Sequence, residues 1–116
     1  MTSWIARVHE ERHGEVAVAA VEGEIDSSNV GEIGDRVRAM LTNRSEALVI
    51  DLEQTHYIDS AGINVLFQLG TELDERQQRL HLVVASGSPI ERMFTIVGLD
   101  AAVPMFATRE AALRAI

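Results

Sequence analysis

The chain has 116 residues, of which 47% are hydrophobic and few are aromatic, with no cysteine and a formal net charge of −8. That length suits one domain, residues 1–116, with a real core built mostly from Val, Leu, Ile, Ala and Met. The charge argues against binding DNA, RNA or an anionic membrane, and the absence of cysteine excludes disulfides, thiolate catalysis and cysteine metal sites.

In chain order, "WIARVHE" (4–10) and "EVAVAAVEG" (15–23) are short, rich in β-branched residues and separated by a polar turn containing Gly14. They read as a hairpin. "DSSN" (26–29) supplies cap-type residues, and Val30, Ile33, Val37, Met40 and Leu41 then recur at helical spacing, which predicts a helix over 28–43. "EALVIDL" (46–52) is an almost unbroken apolar run, the pattern of a strand buried on both faces. After Ser60 a second helix shows Ile63, Leu66, Phe67, Gly70 and Leu73 on one face. "LHLVVA" (80–85) is another buried strand.

"SPIE" (88–91) is a strong helix start, with Ser88 as cap, Pro89 at the first helical position and Glu91 closing a capping box. Ile90, Met93, Phe94 and Val97 form its inward face, and Gly98 ends it. "VPMFA" (103–107) suits a short strand, and Thr108 caps a closing helix. The order is β-β-α-β-α-β-α-β-α. Strands alternating with helices imply an α/β fold with mostly parallel crossovers, and the hairpin adds an antiparallel member. No run approaches the about 20 apolar residues that span a bilayer, and no signal-peptide pattern opens the sequence. A cytoplasmic location is therefore expected.

Residues 9–13 spell "HEERH", the zinc-protease pattern. That chemistry needs a helix to bring His9 and His13 to one face with Glu10 as base. Here a strand-like run precedes and Gly14 follows, so the segment reads as a polar hairpin turn, and no metal site is expected.

In open α/β sheets, functional groups gather at the carboxyl ends of parallel strands. "EGEID" puts Glu24 and Asp26 after the second strand, and "YIDS" puts Asp59 after the third. If those strands are parallel neighbours, the two aspartates meet beside Ser60. Three roles suit Ser60. As an N-cap it contributes about 1 kcal/mol. As a nucleophile it lacks both the first glycine of the G-x-S-x-G elbow and a placed base, since His56 lies before the turn. As a phosphate acceptor it gains a charge of about −1.5 to −2. A helix N-terminus favours an anion by about 0.3–1 kcal/mol, whereas a carboxylate at about 6 Å and an effective dielectric of about 20 opposes it by roughly 3 kcal/mol before solvent screening. A phosphate here acts mainly on whatever docks at the edge.

Three blocks, "VEGEIDSSNVGEIGDRV" (21–37), "LVIDLEQTHYIDSAGINVLFQL" (48–69) and "IERMFTIVGLDAAVPMFATREAAL" (90–113), occur in order over nearly the whole chain. Together they resemble STAS domains, specifically the bacterial anti-sigma factor antagonists. The resemblance implies a STAS-like fold, a small mixed β-sheet flanked by helices, and a binding protein rather than an enzyme, without a cofactor. It maps the family's phosphorylation site onto Ser60. The implied partner is an anti-sigma factor with a histidine-kinase-like ATPase fold that acts as a serine kinase. Unphosphorylated antagonist binds it and frees a sigma factor, and a serine phosphatase resets the phosphorylated form. The implied partner surface includes Glu24, Asp26, Ser27, Asp59, Ser60, Ala61, Gly62 and Asn64, with the helix start at 88–93 beside it. Asp26 is expected to position the serine or contact the partner, and Asp59 to shape the turn. A weak homodimer through the exposed edge is a further expectation. The alternative is a constitutive scaffold, a stressosome part or a soluble subunit of a lipid-transport ATPase.

Overall fold

In the computed structural model, which describes residues 6–116, strands β1 (Ala6–His13) and β2 (Val16–Ile25) form an antiparallel hairpin. Its two-residue turn places Gly14 at φ +61°, in the left-handed region that glycine adopts without a Cβ penalty. The first strand expected from the sequence began at residue 4; residues 4 and 5 lie outside the described residues. The expected polar turn at 9–13 is instead the second half of β1, so His9 and His13 sit on an extended strand, where the helical zinc geometry does not arise. His9 approaches Glu22 at 3.4 Å and His13 approaches Glu11 at 3.3 Å.

Helix α1 (Val30–Ala39) is shorter at both ends than the apolar spacing suggests. At its start Asp26 and Asn29 turn their side chains to the loop, and Met40 caps its end. The Arg12 guanidinium donates to the freed Met40 carbonyl. Strand β3 (Ala47–Asp51) is buried at every position, as an apolar run predicts for a strand covered on both faces. Strand β4 (Thr55–Ile58), absent from the element order that the sequence predicts, precedes helix α2 (Ser60–Glu75).

Helix α2 ends in a Schellman arrangement. The Gln78 N–H donates to Leu73 at 2.8 Å and the Gln77 N–H to Asp74 at 3.0 Å, with Gln77 at φ 59°. Strand β5 (Arg79–Val83) follows. Then comes α3 (Pro89–Ile96), capped by Ser88 Oγ, which accepts the Glu91 N–H at 3.2 Å. Gly98 at φ +80° leads into a second unexpected element, α4 (Leu99–Ala102). Val97, expected to face inward, is 45% exposed because α3 has already ended there. Strand β6 (Met105–Phe106) and helix α5 (Arg109–Arg114), capped by Thr108, complete the chain.

The sheet runs β1-β2-β3-β5-β6, parallel except for the hairpin, and β4 pairs with the end of β2. Strand alternation assigns the two cores. Ala17, Ala19 and Val21 of β2 and Leu48 and Ile50 of β3 belong with the buried residues of α1 to α4. Val16, Val18, Ala47, Val49 and Val83 turn the other way, beneath Ala112 of α5. On that second face His81, 4% exposed, donates from Nδ1 to the Ala112 carbonyl at 2.9 Å. Arg109 bonds the nearly buried Asp51 at 2.9 Å and Glu11 at 2.6 Å, fastening α5 to two strands. The fold class expected from the sequence, a small mixed sheet flanked by helices, is the one observed, with β4 and α4 added to the element order.

Candidate functional site

Strand β2 has two parallel neighbours along one edge. Its first half pairs with β3, and its last three residues pair with β4, where Glu24 faces Tyr57 and Ile25 faces Ile58. The ladder shifts at Gly23/Glu24, so His56 is the extra residue of a bulge. Asp59 thus follows the fourth strand rather than the third. Parallel pairing of β2 with β4 still brings the two acidic loops together, as the sequence reading requires of neighbours.

The loops are joined atom by atom. The Asp59 N–H donates to the Ile25 carbonyl at 3.1 Å. Asp59 Oδ2 accepts the Ser27 N–H at 3.1 Å, and Oδ1 accepts the Gly62 N–H at 3.1 Å. Asp59 is therefore the N-cap of α2, and Ser60 is the first helical residue rather than the cap. The capping role that the sequence offered to Ser60 falls one residue earlier, which leaves the Ser60 side chain exposed at the helix start.

Asp26 is fixed by its own loop. Its Oδ1 accepts the Ser28 hydroxyl at 2.5 Å and the Ser28 N–H at 2.9 Å, and its own N–H donates to Asn29 Oδ1 at 3.0 Å. The Ser28 hydroxyl, followed by the backbone amides, holds the Asp26 carboxyl below the ordinary aspartate range. Asn29 Nδ2 donates to the Glu24 carbonyl at 2.8 Å. Ser28 and Asn29 are the loop residues that the sequence reading treated only as caps. Their signal was the run of Asx and Ser residues, which favours side-chain bonds to nearby backbone.

Glu24, Ser27, Ser60 and Asn64 are exposed, and Ala61 is half-buried. Gly62 is buried and serves packing. A methyl group there would lie 2.5 Å from Ile58 Cγ1 and 2.9 Å from Ile25 Cγ2, so its absence lets α2 close onto both strand ends. The start of α3 lies nearby across a cleft of about 250 Å³ lined by Glu53, His56, Ser88 and Pro89. Among the described residues no group of three or more His, Asp or Glu side chains could hold a metal ion. No helix there is long and apolar enough to cross a membrane.

A small mixed sheet with α1 to α4 on one face, and an acidic loop pair at the start of the second helix, defines a STAS-type α/β domain. The family model described as STAS domain matches residues 7–112, and the chain belongs to the STAS domain family. The chain is 29% identical over 104 residues to the anti-sigma-F factor antagonist RsfB of Mycobacterium tuberculosis, an alignment covering 90% of this chain and 84% of that protein. It is similar to the crystal structure of an anti-sigma factor antagonist from Mycobacterium paratuberculosis, with a TM-score of 0.85, 27% identity and coverage of 96% of this chain and 93% of that one. The Bacillus cell fate determinant SpoIIAA in its phosphorylated form shares the fold, with a TM-score of 0.66, 20% identity and coverage of 95% and 100%.

Proposed function

We propose that this chain is a phosphorylation-controlled antagonist of an anti-sigma factor. Its unphosphorylated form binds an anti-sigma factor that is also a serine kinase with a histidine-kinase-like ATPase fold, and a sigma factor is released. Phosphate on Ser60 ends that binding, and a serine phosphatase restores it. The chain acts as a cytoplasmic binding module and not as an enzyme. The observation that carries this reading is Ser60 itself. Its side chain is exposed at the first position of α2, while Asp59 takes over the capping that would otherwise occupy a hydroxyl.

The similarity to RsfB supports the antagonist role, and the setting supports the switch. A phosphate of about −1.5 to −2 charge placed beside Asp59 and near Asp26 sharpens an already negative edge. Its effect falls on the docked partner rather than on the core. Glu24, Asp26, Ser27, Asp59, Ala61 and Asn64 form the surface that the partner reads, and Gly62 sets the approach of the helix beneath it.

The test is to incubate the protein with ATP and the anti-sigma factor kinase of its own host, then to map the product by intact mass and peptide sequencing. One phosphate on Ser60, none on Ser60→Ala, and lost kinase binding by Ser60→Glu are expected. Equal phosphorylation of Ser60→Ala overturns the assignment. Stable residence in a large assembly, unaffected by ATP, would establish the constitutive scaffold instead.

A further inference from the structure

Helix α5 covers only half of the sheet's second face. It lies over Val16, Val18, Ala47, Val49 and Val83. Further along the same face of β2 come Glu22 and Glu24, both exposed, because alternate residues of a strand point the same way. Tyr57, directly opposite Glu24 across the parallel pair, is 50% exposed. A large aromatic thus stands in the open opposite the Glu24 position, with one rung of the ladder, Ile25 and Ile58, separating it from Asp26 and Asp59. On the far side of Glu22 stand Arg7, its register partner, and His9 at 3.4 Å. The carboxylate of Glu24 has no cation partner among the described residues.

Resting on the reading of the Ser60 edge as a partner site, we propose that this open half-face, centred on Tyr57, seats an arginine of the same protein partner. Charge selects the occupant. A second copy of the chain, at −8, would set acid against acid. A nucleic acid or an anionic membrane meets the same repulsion. A basic protein surface is complementary. Arginine suits the site better than lysine because its planar guanidinium stacks on a tyrosine ring and forks onto a carboxylate at the same time. Exposed tyrosines of this kind concentrate binding energy in protein interfaces. Tyr57 and Ser60 lie three residues apart at the end of β4, Tyr57 on the α5 face of the sheet and Ser60 at the start of the helix on the other, so a partner reaching the Ser60 hydroxyl meets the half-face by wrapping the strand end.

The experiment measures binding of the host's anti-sigma factor kinase to the wild type and to Tyr57→Ala, Tyr57→Thr, Tyr57→Phe and Glu24→Gln. Tyr57→Thr retains a strand-forming residue, which separates lost contact from lost folding. Removing the ring should weaken binding about tenfold or more. Tyr57→Phe should stay within about twofold, because the ring face is kept. Glu24→Gln should weaken binding and flatten its salt dependence. If the wild type binds and both ring-removing variants bind equally well, the half-face is not a docking surface, while the reading of Ser60 stands. If the wild type does not bind the kinase, the reading of Ser60 fails. The half-face is then judged alone by titrating tetra-arginine amide into labelled protein. Backbone shifts confined to residues 22–24 and 55–58, and lost in Tyr57→Ala, support it; shifts spread over all acidic residues overturn it.

Discussion

Asp59 holds the Ser27 N–H at 3.1 Å with one carboxylate oxygen while the other caps α2 through Gly62. One side chain thus sets both the start of the helix that carries Ser60 and the position of the β2–α1 loop. Asp59→Ala removes a cap, worth about 1 kcal/mol, and a second bond of similar size. A loss of about 2 kcal/mol in urea unfolding is expected, together with shifted amide resonances at Ser27 and Ser28. Asp59→Asn retains an acceptor for one of the two amides and should lose less. Equal stability of Asp59→Ala and the wild type would show that the tie is not maintained in solution.

Gly62 predicts a conflict between helix propensity and space. Alanine is the better helix former by about 1 kcal/mol. At this position its methyl would meet Ile58 at 2.5 Å and Ile25 at 2.9 Å, both in the core. Overpacking of that kind costs about 1–3 kcal/mol. Gly62→Ala should therefore lower the thermal midpoint, whereas Gly31→Ala, where nothing lies within 4 Å, should not. A Gly62→Ala variant more stable than the wild type would mean that α2 sits further from the strands than described.

Gln77 occupies the left-handed position that ends α2, at φ 59°. A side chain there is strained by about 1 kcal/mol relative to glycine. Gln77→Gly should stabilise the fold by up to about 1 kcal/mol, with unchanged binding at the Ser60 edge. Matched chemical denaturation of the two proteins measures it.

The pH dependence has a definite sign at Glu53. Glu53 is exposed beside the β4–α3 cleft, and partial desolvation there, with the neighbouring Asp51 adding to it, lifts its carboxyl above the ordinary glutamate range. A raised carboxyl stabilises the fold below its unfolded pKa, and that contribution is lost as pH rises through the folded value. Glu53→Gln should therefore be more stable than the wild type at neutral pH, and the difference should vanish in acid, below the ordinary carboxylate range. Thermal midpoints across that pH series supply the check.

The long elements were legible because their patterns are long. β3 is continuously apolar, α2 runs 16 residues with a regular inward face, and Ser88-Pro89 announces α3. β4 was not legible. It has four residues, two of them exposed, and its bulge breaks the alternation that marks a strand. The four-residue α4 is too short to show a period. At the site, the acid–serine pair was legible but its register was not. Asp and Ser are both preferred N-caps, so the sequence does not decide which one caps. The bond from Ser27 to Asp59 decides it, and that bond spans 32 residues. Tyr57 was overlooked for a related reason: its exposure depends on where α5 stops covering the sheet.

Because β2 is shared between β3 and β4, the domain has two kinds of backbone protection along a single strand. Residues 16–20 sit between β1 and β3 over apolar layers on both faces. Residues 23–25 rely on a shorter, bulged pairing with β4, flanked by the Thr55 hydroxyl bond to the Val21 carbonyl on one side and the Ser27 bond to Asp59 on the other. Amide hydrogen exchange should therefore slow toward Val18 and quicken toward Ile25, dividing one strand between a stable unit and one that opens more readily. The surface that carries Ser60 belongs to the second unit, so it can yield to a partner while the rest of the sheet stays closed.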